Sequence, residues 1–337
     1  MMASWIWIPI TLFAVVMQTV RTAGQKHLTA HLDALAVTLV RFLFGLPFAA
    51  AYLAIVAHWS DTSLPPLNAT FIGYTALGGV AQIIATVLLI YLFTLRNFAV
   101  GTTYARTEAF LTAFIGALFF GEWISFQGWT AIVISVAGVV VLTVARSHID
   151  GASILRRLWN PAAAIGLGSG LGFALASLSI RKASLSFGID DFLLSAGVTL
   201  VVMVILQTLI MIVYVAIKSP GQFAIIARQW RVSLFVGVTS ALGSIGWFTA
   251  MTVERAAYVK SLGQVEFLFA LLISTLFFRE RTTRLELLGM ALVAVGVVTP
   301  ARVIIGPHPS IDHAEDRPAC SMRRRTPTGS STTPSSP

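Results

Sequence analysis

The sequence predicts an all-α polytopic membrane protein of about ten transmembrane helices, arranged as two inverted five-helix repeats. Three observations carry the prediction. The 337-residue chain is 56% hydrophobic and only 11% charged, whereas soluble domains carry roughly 25% charged residues. Its apolar residues come in runs of about 20, the length an α-helix needs to cross a hydrocarbon core of roughly 30 Å. The runs do not alternate polar and apolar with period two, which disfavours a β-barrel; away from water, backbone amides must then pair within helices.

The expected spans are 5–22, 35–57, 70–94, 99–120, 125–145, 162–182, 191–217, 231–252, 257–278 and 284–301. The first follows no Lys or Arg, unlike the charged n-region of a cleaved signal peptide, and reads as a retained span. The longest polar interruption, Arg146 to Pro161, holds Asp150, Arg156, Arg157 and Asn160. It divides the spans five and five: a first repeat at 1–146, a connecting loop at 147–161 and a second repeat at 162–305. From Gly306 the chain is rich in Pro, Ser and Thr, so 306–337 is expected to be a disordered tail.

The two halves share a passage. Thr107 to Glu122 reads TEAFLTAFIGALFFGE and Gln264 to Glu280 reads QVEFLFALLISTLFFRE. Glu108 falls on Glu266, 158 positions on (108 to 266), and Glu122 falls on Glu280 at the same offset. The endings of spans one and six, VRTAG and IRKAS, place Arg21 over Arg181. An odd number of helices per half makes the second half enter from the opposite face, so the repeats are inverted.

A charge at the centre of a membrane helix costs roughly 2.5–3.5 kcal/mol on insertion scales. Glu108 and Glu266 sit near the midpoints of their spans, which makes them the first candidates for a cavity between the halves. Arg106 stands two residues before Glu108, about 200° round the helix, and cannot be its same-helix partner. Tyr104 shares a face with Glu108, and Lys260 with Gln264. Glu108, Glu266, Arg41, Arg106, Tyr104 and Gln264 form the candidate cavity set; the alternative is a buried ion-pair network that only fixes packing. Arg41 reads equally as a cavity cation or as an arginine snorkelling to the interface. Trp247 reads first as packed core and second as a cavity wall. Glu122 and Glu280 end their apolar runs and read as structural helix-end residues at the interface rather than as solute ligands.

The net charge of +9 lies mainly in loops and tail, with no basic stripe interleaved with aromatics. Membrane lipids are therefore the expected polyanionic partner, and nucleic acid is not. Cys320, the single cysteine, rules out an internal disulfide framework or a multi-cysteine metal site. Gly166, Gly168, Gly170 and Gly172 do not fit GxGxxG and read as helix packing, as do Gly73, Gly78, Gly79, Gly237, Gly243 and Gly246. Trp5, Trp7, Trp59, Trp159 and Trp230 read as interfacial anchors. All six histidines fall outside the expected spans, which argues against an intramembrane Ser-His or zinc hydrolase. No GxxxxGK[ST] is present, and no cofactor is expected.

On these residues the chain resembles the drug/metabolite transporter superfamily, EamA type. The resemblance rests on FFGE (Phe119 to Glu122), FFRE (Phe277 to Glu280), the glycine-containing helices that follow, and Arg41-Phe42, and it covers about residues 5–300. The second half has no arginine equivalent to Arg41, and helix one lacks the tryptophan-glycine pair common near its middle. The resemblance implies a secondary transporter, often an exporter of amino acids, other metabolites or drugs, working by alternating access in a cell membrane such as the bacterial inner membrane. A small solute and a coupling proton are its expected partners. An intramembrane lipid- or sugar-modifying enzyme, or a non-transporting receptor or scaffold, would come from other classes. The first wants a catalytic histidine or a carboxylate cluster at the headgroup level, and no histidine lies in an expected span; the second leaves two mid-depth carboxylates unexplained. The resemblance also implies cytoplasmic termini, whereas loop charge, heaviest from Arg146 to Arg157 and from Arg279 to Arg284, implies termini outside.

Overall fold

The computed structural model describes residues 5–60, 62–92, 105, 107–147, 161–266 and eight positions between 284 and 295. Tyr104, Arg106, Trp159, Glu280, Cys320 and the tail 306–337 lie outside the described residues, and the expectations for them stand there. The described elements are α1 (Trp7–Leu28), α2 (Ala34–Leu43), α3 (Leu46–Trp59), α4 (Ala69–Leu92), α5 (Glu108–Phe119), α6 (Phe126–Ser147), α7 (Pro161–Leu185), α8 (Phe192–Lys218), α9 (Gln222–Arg228), α10 (Trp230–Val253) and α11 (Ala256–Gly263). Ala34–Trp59, Ala69–Leu92, Ala164–Leu185, Phe192–Lys218 and Trp230–Val253 are each long and apolar enough to cross a bilayer. The protein is a multi-pass α-helical membrane protein.

Its outward side chains suit lipid. Ile55, Leu118, Leu209, Val213 and Ile217 are all exposed, and so are the end-of-helix tryptophans Trp59 and Trp230. Trp7 departs from the anchor expectation: it is 1% exposed and belongs to the core. Two residues beyond the exposed Trp5, at the start of α1, it faces nearly the opposite way.

Helix starts repeat like the glutamates do. Asp33 caps α2, its carboxylate accepting the Ala36 N–H at 2.8 Å, and Asp191 caps α8 by accepting from Leu194 at 3.0 Å. These caps are again 158 positions apart (33 to 191). Each satisfies an amide that the first turn leaves unpaired.

The most extensive helix pairings are α4 with α7 and α1 with α10. Small residues permit both. A Cβ built on Gly172 of α7 would lie 2.9 Å from the Ala85 Cβ of α4, and one on Gly246 of α10 would lie 2.8 Å from that of Ala14 in α1. Ser169 adds an interhelical hydrogen bond to the Ala85 carbonyl at 2.9 Å. Among the described residues nothing lies within 4 Å of a Cβ built on Gly73, so none of them packs against it there. At the bend between α2 and α3, a Cβ on Gly237 would sit 2.5 Å from the Phe44 carbonyl carbon. The α10 backbone therefore rests against that bend and fixes Arg41, one turn earlier.

Gly246→Ala is expected to cost about 1–3 kcal/mol, the usual penalty for overfilling a close contact. Gly73→Ala should stay within about 0.5 kcal/mol. Denaturant unfolding of the two variants in detergent micelles checks the difference.

Candidate functional site: a polar cavity inside the bundle

Both repeated glutamates directly follow a turn, not the middle of an unbroken helix. Thr107 is a turn residue and α5 begins at Glu108; α11 ends at Gly263, and Gln264 and Val265 form a turn before Glu266. The continuous spans expected at 99–120 and 257–278 are thus interrupted at equivalent positions. At the second interruption the backbone tightens to i→i−3 bonding: Gln264 N–H donates to Ser261 O at 3.1 Å and Val265 N–H to Leu262 O at 3.0 Å. The tightening occurs where α11 abuts α10, since a Cβ on Gly263 would lie 2.7 Å from the Trp247 ring. Non-helical backbone at membrane depth is tolerated where protein or a cavity surrounds it.

The glutamates have different partners. Glu108 Oε1 pairs with Lys260 Nζ of α11 at 2.6 Å. The same ammonium lies 4.5 Å from the Trp247 ring centroid and 6.0 Å from that of Phe173, so aromatic faces and a carboxylate share its charge. Glu266 Oε2 accepts from Gln18 Nε2 of α1 at 3.4 Å, and the nearby buried cation is Arg21.

Two small cavities of about 30 Å³ each adjoin at these groups. The first is lined by Gln18, Glu108, Ala109, Trp247, Lys260, Gly263 and Gln264. The second has Gln18, Arg21, Arg41, Gln82, Ser177, Ser244, Trp247 and Lys260 among its walls. Gln18, Trp247 and Lys260 stand in both. Of the residues named from sequence, Glu108, Gln264, Arg41 and Trp247 therefore line this region, and Glu266 reaches it through Gln18. Arg41 is 5% exposed, and its Nη1 donates to Thr86 Oγ1 of α4 at 2.8 Å. Of its two sequence readings, the interior position is the one observed.

Three residues escaped the sequence-level set: Lys260, Arg21 and Gln18. Lys260 was visible as the i,i+4 neighbour of Gln264 but was counted at the entry of its span. Arg21 was placed at the end of a span closing at 22, whereas α1 runs on to Leu28 and carries Arg21 inside, 4% exposed.

With this geometry in place, relatives can be compared. Residues 5–144 match the model of the EamA-like transporter family. Over that stretch the chain is similar to EamA-like transporters. EamA is a drug/metabolite transporter family, and its members are transporters rather than enzymes. A solved chain described as "Crystal structure of protein" superposes with a TM-score of 0.64 at 15% identity, over 90% of this chain and 98% of its own, a likeness of fold. No curated protein matches the chain.

The EamA-like segment also contains Glu122, expected at the interface in contact with water. It is instead 8% exposed and pairs with Arg181 Nε of α7 at 3.2 Å. Gly121, at φ +67°, turns the chain back so that the Glu122 N–H donates to Gly116 O at 2.9 Å, tucking the carboxylate under α5. Burial pushes the Glu122 carboxyl above its ordinary value, with the Arg181 guanidinium the chief influence pulling it back. Arg181 Nη1 in turn donates to Met251 O at 2.7 Å and Glu254 O at 2.5 Å, capping the C-terminal carbonyls of α10. Arg21, Arg181 and Lys260 are thus interior charges and drop out of any loop-charge comparison between the two membrane faces.

Breaking a buried pair from one side leaves an uncompensated charge. Arg181→Met is expected to destabilise the protein by about 3–5 kcal/mol, and Glu122→Leu on that background to recover part of the loss. Chemical denaturation of both variants in micelles measures it.

Proposed function

We propose that this chain is a secondary transporter that moves a small organic solute, an amino acid, other metabolite or drug, out across a cell membrane, taken as the bacterial inner membrane. The solute binds between two inverted five-helix repeats, 1–146 and 162–305, and is exposed to each side in turn. One observation carries the reading. Four ionisable side chains, Arg21, Arg41 and Glu108 from the first half and Lys260 from the second, line cavities inside a membrane bundle, and Glu266 reaches them through Gln18. Intramembrane ionisable groups mark solute and ion pathways, and the EamA match points the same way.

The packing suggests how access alternates. The tight pairs α4–α7 and α1–α10 each join a helix from one half to a helix from the other, so each moves as a body. α5 and α11, meeting through Glu108 and Lys260, carry turns at the cavity that can absorb the change in angle. The differing partners of the two glutamates suit Glu108 to hold charge against Lys260 and Glu266 to exchange a coupling proton.

Glu108→Gln or Glu266→Gln is expected to abolish flux while expression persists. Counterflow in reconstituted vesicles, run across amino acids, sugars and cationic drugs, reads the effect; unchanged flux in both variants would sink the proposal. Transport by each single variant against pH tests the division of labour, which fails if the two profiles coincide. On loop charge, a reporter fused at Pro337 should read outside and one within 150–158 inside. The opposite pattern would give the orientation implied by the family.

A further inference from the structure

We infer that the transported solute carries an anionic group, a carboxylate, and that Arg41 is its anchor. This rests on the transporter reading of the same site and names the class of solute it takes. The guanidinium of Arg41 cannot shed its proton in a protein, and it lies 5% exposed inside the bundle. Its neighbours are the Thr86 hydroxyl and the Phe42 ring, 5.1 Å away; among the described residues no carboxylate pairs with it. The other cations on the cavity have carboxylates at hand: part-buried Lys260 pairs with Glu108, and buried Arg21 feels the charge of Glu266. Among the described residues one positive charge is left over, and the like-signed Arg21 lines the same cavity.

The cavity repeats that imbalance. Arg21, Arg41 and Lys260 all line it, and among the described residues no carboxylate does. Two polar atoms on its wall have no hydrogen-bond partner, Arg21 Nε and Trp247 Nε1, and both are donors. Buried donors without acceptors and a buried cation without an anion are both costly, and one incoming carboxylate relieves both. Arginine offers a planar fork that a carboxylate can meet with two parallel hydrogen bonds. At about 30 Å³ the cavity has room for such a headgroup but not for a whole solute. The anion site is also one-sided. Thr199 stands at the equivalent position of the second half (41 to 199), and its hydroxyl accepts from Ser184 at 3.0 Å.

The test uses the purified full chain in micelles. Tryptophan fluorescence is titrated with acetate, benzoate, glutarate and L-glutamate, with the amides acetamide and benzamide, and with inorganic phosphate. Saturable binding of at least one carboxylate is expected, with its amide at least about tenfold weaker. Arg41→Gln should raise the carboxylate Kd by at least about tenfold, and Arg41→Lys by less. Equal binding of acid and amide, no binding of any carboxylate, or an unchanged Kd in Arg41→Gln overturns the inference. Phosphate bound in place of every carboxylate, and lost in Arg41→Gln, upholds the anion site and overturns the carboxylate assignment. Should Arg41→Gln not fold, the acid-against-amide comparison in the unaltered protein and in Arg41→Lys decides. The same carboxylates are then offered to vesicles: binding without counterflow leaves the anion site standing and removes the transport reading, whereas counterflow of neutral solutes alone does the reverse.

Discussion

A charge taken out of water must meet an opposite charge or a dense set of dipoles, and the interior of this bundle is organised around that constraint. Glu108 and Lys260 bring α5 against α11, and Glu122 and Arg181 bring the α5–α6 connection against α7. Arg181 also holds the end of α10 through its last carbonyls. Such pairs contribute little net stability, because desolvating both charges offsets much of the attraction, but removing one partner is expensive. They therefore specify which helices meet more than they strengthen the fold. Stability comes instead from the close small-residue contacts of α4 with α7 and α1 with α10.

Those two kinds of contact divide the molecule. Contacts at Gly172 and Gly246 set a glycine against an alanine Cβ and a backbone carbonyl, leaving no room for a larger side chain. The Glu108–Lys260 contact is a single ion pair between two short helices, each next to a turn. In the proposed cycle the first kind stays and the second yields, because a solute's own charged groups can replace what an ion pair loses. No such replacement exists for a packed Cα–H surface.

Much of this was legible in the sequence, and the misses share a cause. The apolar spans and the paired glutamates follow from hydropathy and a fixed offset, both of which are local properties. Where helices start and stop within a span is not local. The reading of 5–22 as span one put Arg21 at a membrane surface, and six more residues of α1 put it in the core. The reading of 257–278 as one helix hid the turn at Gln264 and left Lys260 looking like a loop charge, although it is the counter-ion of Glu108. Glu122 went wrong through one glycine: only the left-handed turn at Gly121 sends it inward. The Asp33 and Asp191 caps obey the same offset as the glutamates, although both lie outside the apolar runs.

The duplication also separates what the fold requires from what the site does. Glu108 and Glu266 occur in both halves, as do the caps and the turns before the glutamates, so these belong to the shared framework. The rest of the cavity breaks the repeat. At the 158-position offset Arg41 stands opposite Thr199, Lys260 opposite Thr102, Gln264 opposite Arg106 and Trp247 opposite Leu89. A site lined by true pairs would present the same face to both ends of a solute. Here the surplus cation, the indole donor and the ammonium over its aromatic ring each occur once. On the proposed reading, a repeated framework encloses an asymmetric charge distribution, and a solute with one anionic end would satisfy it in one orientation only.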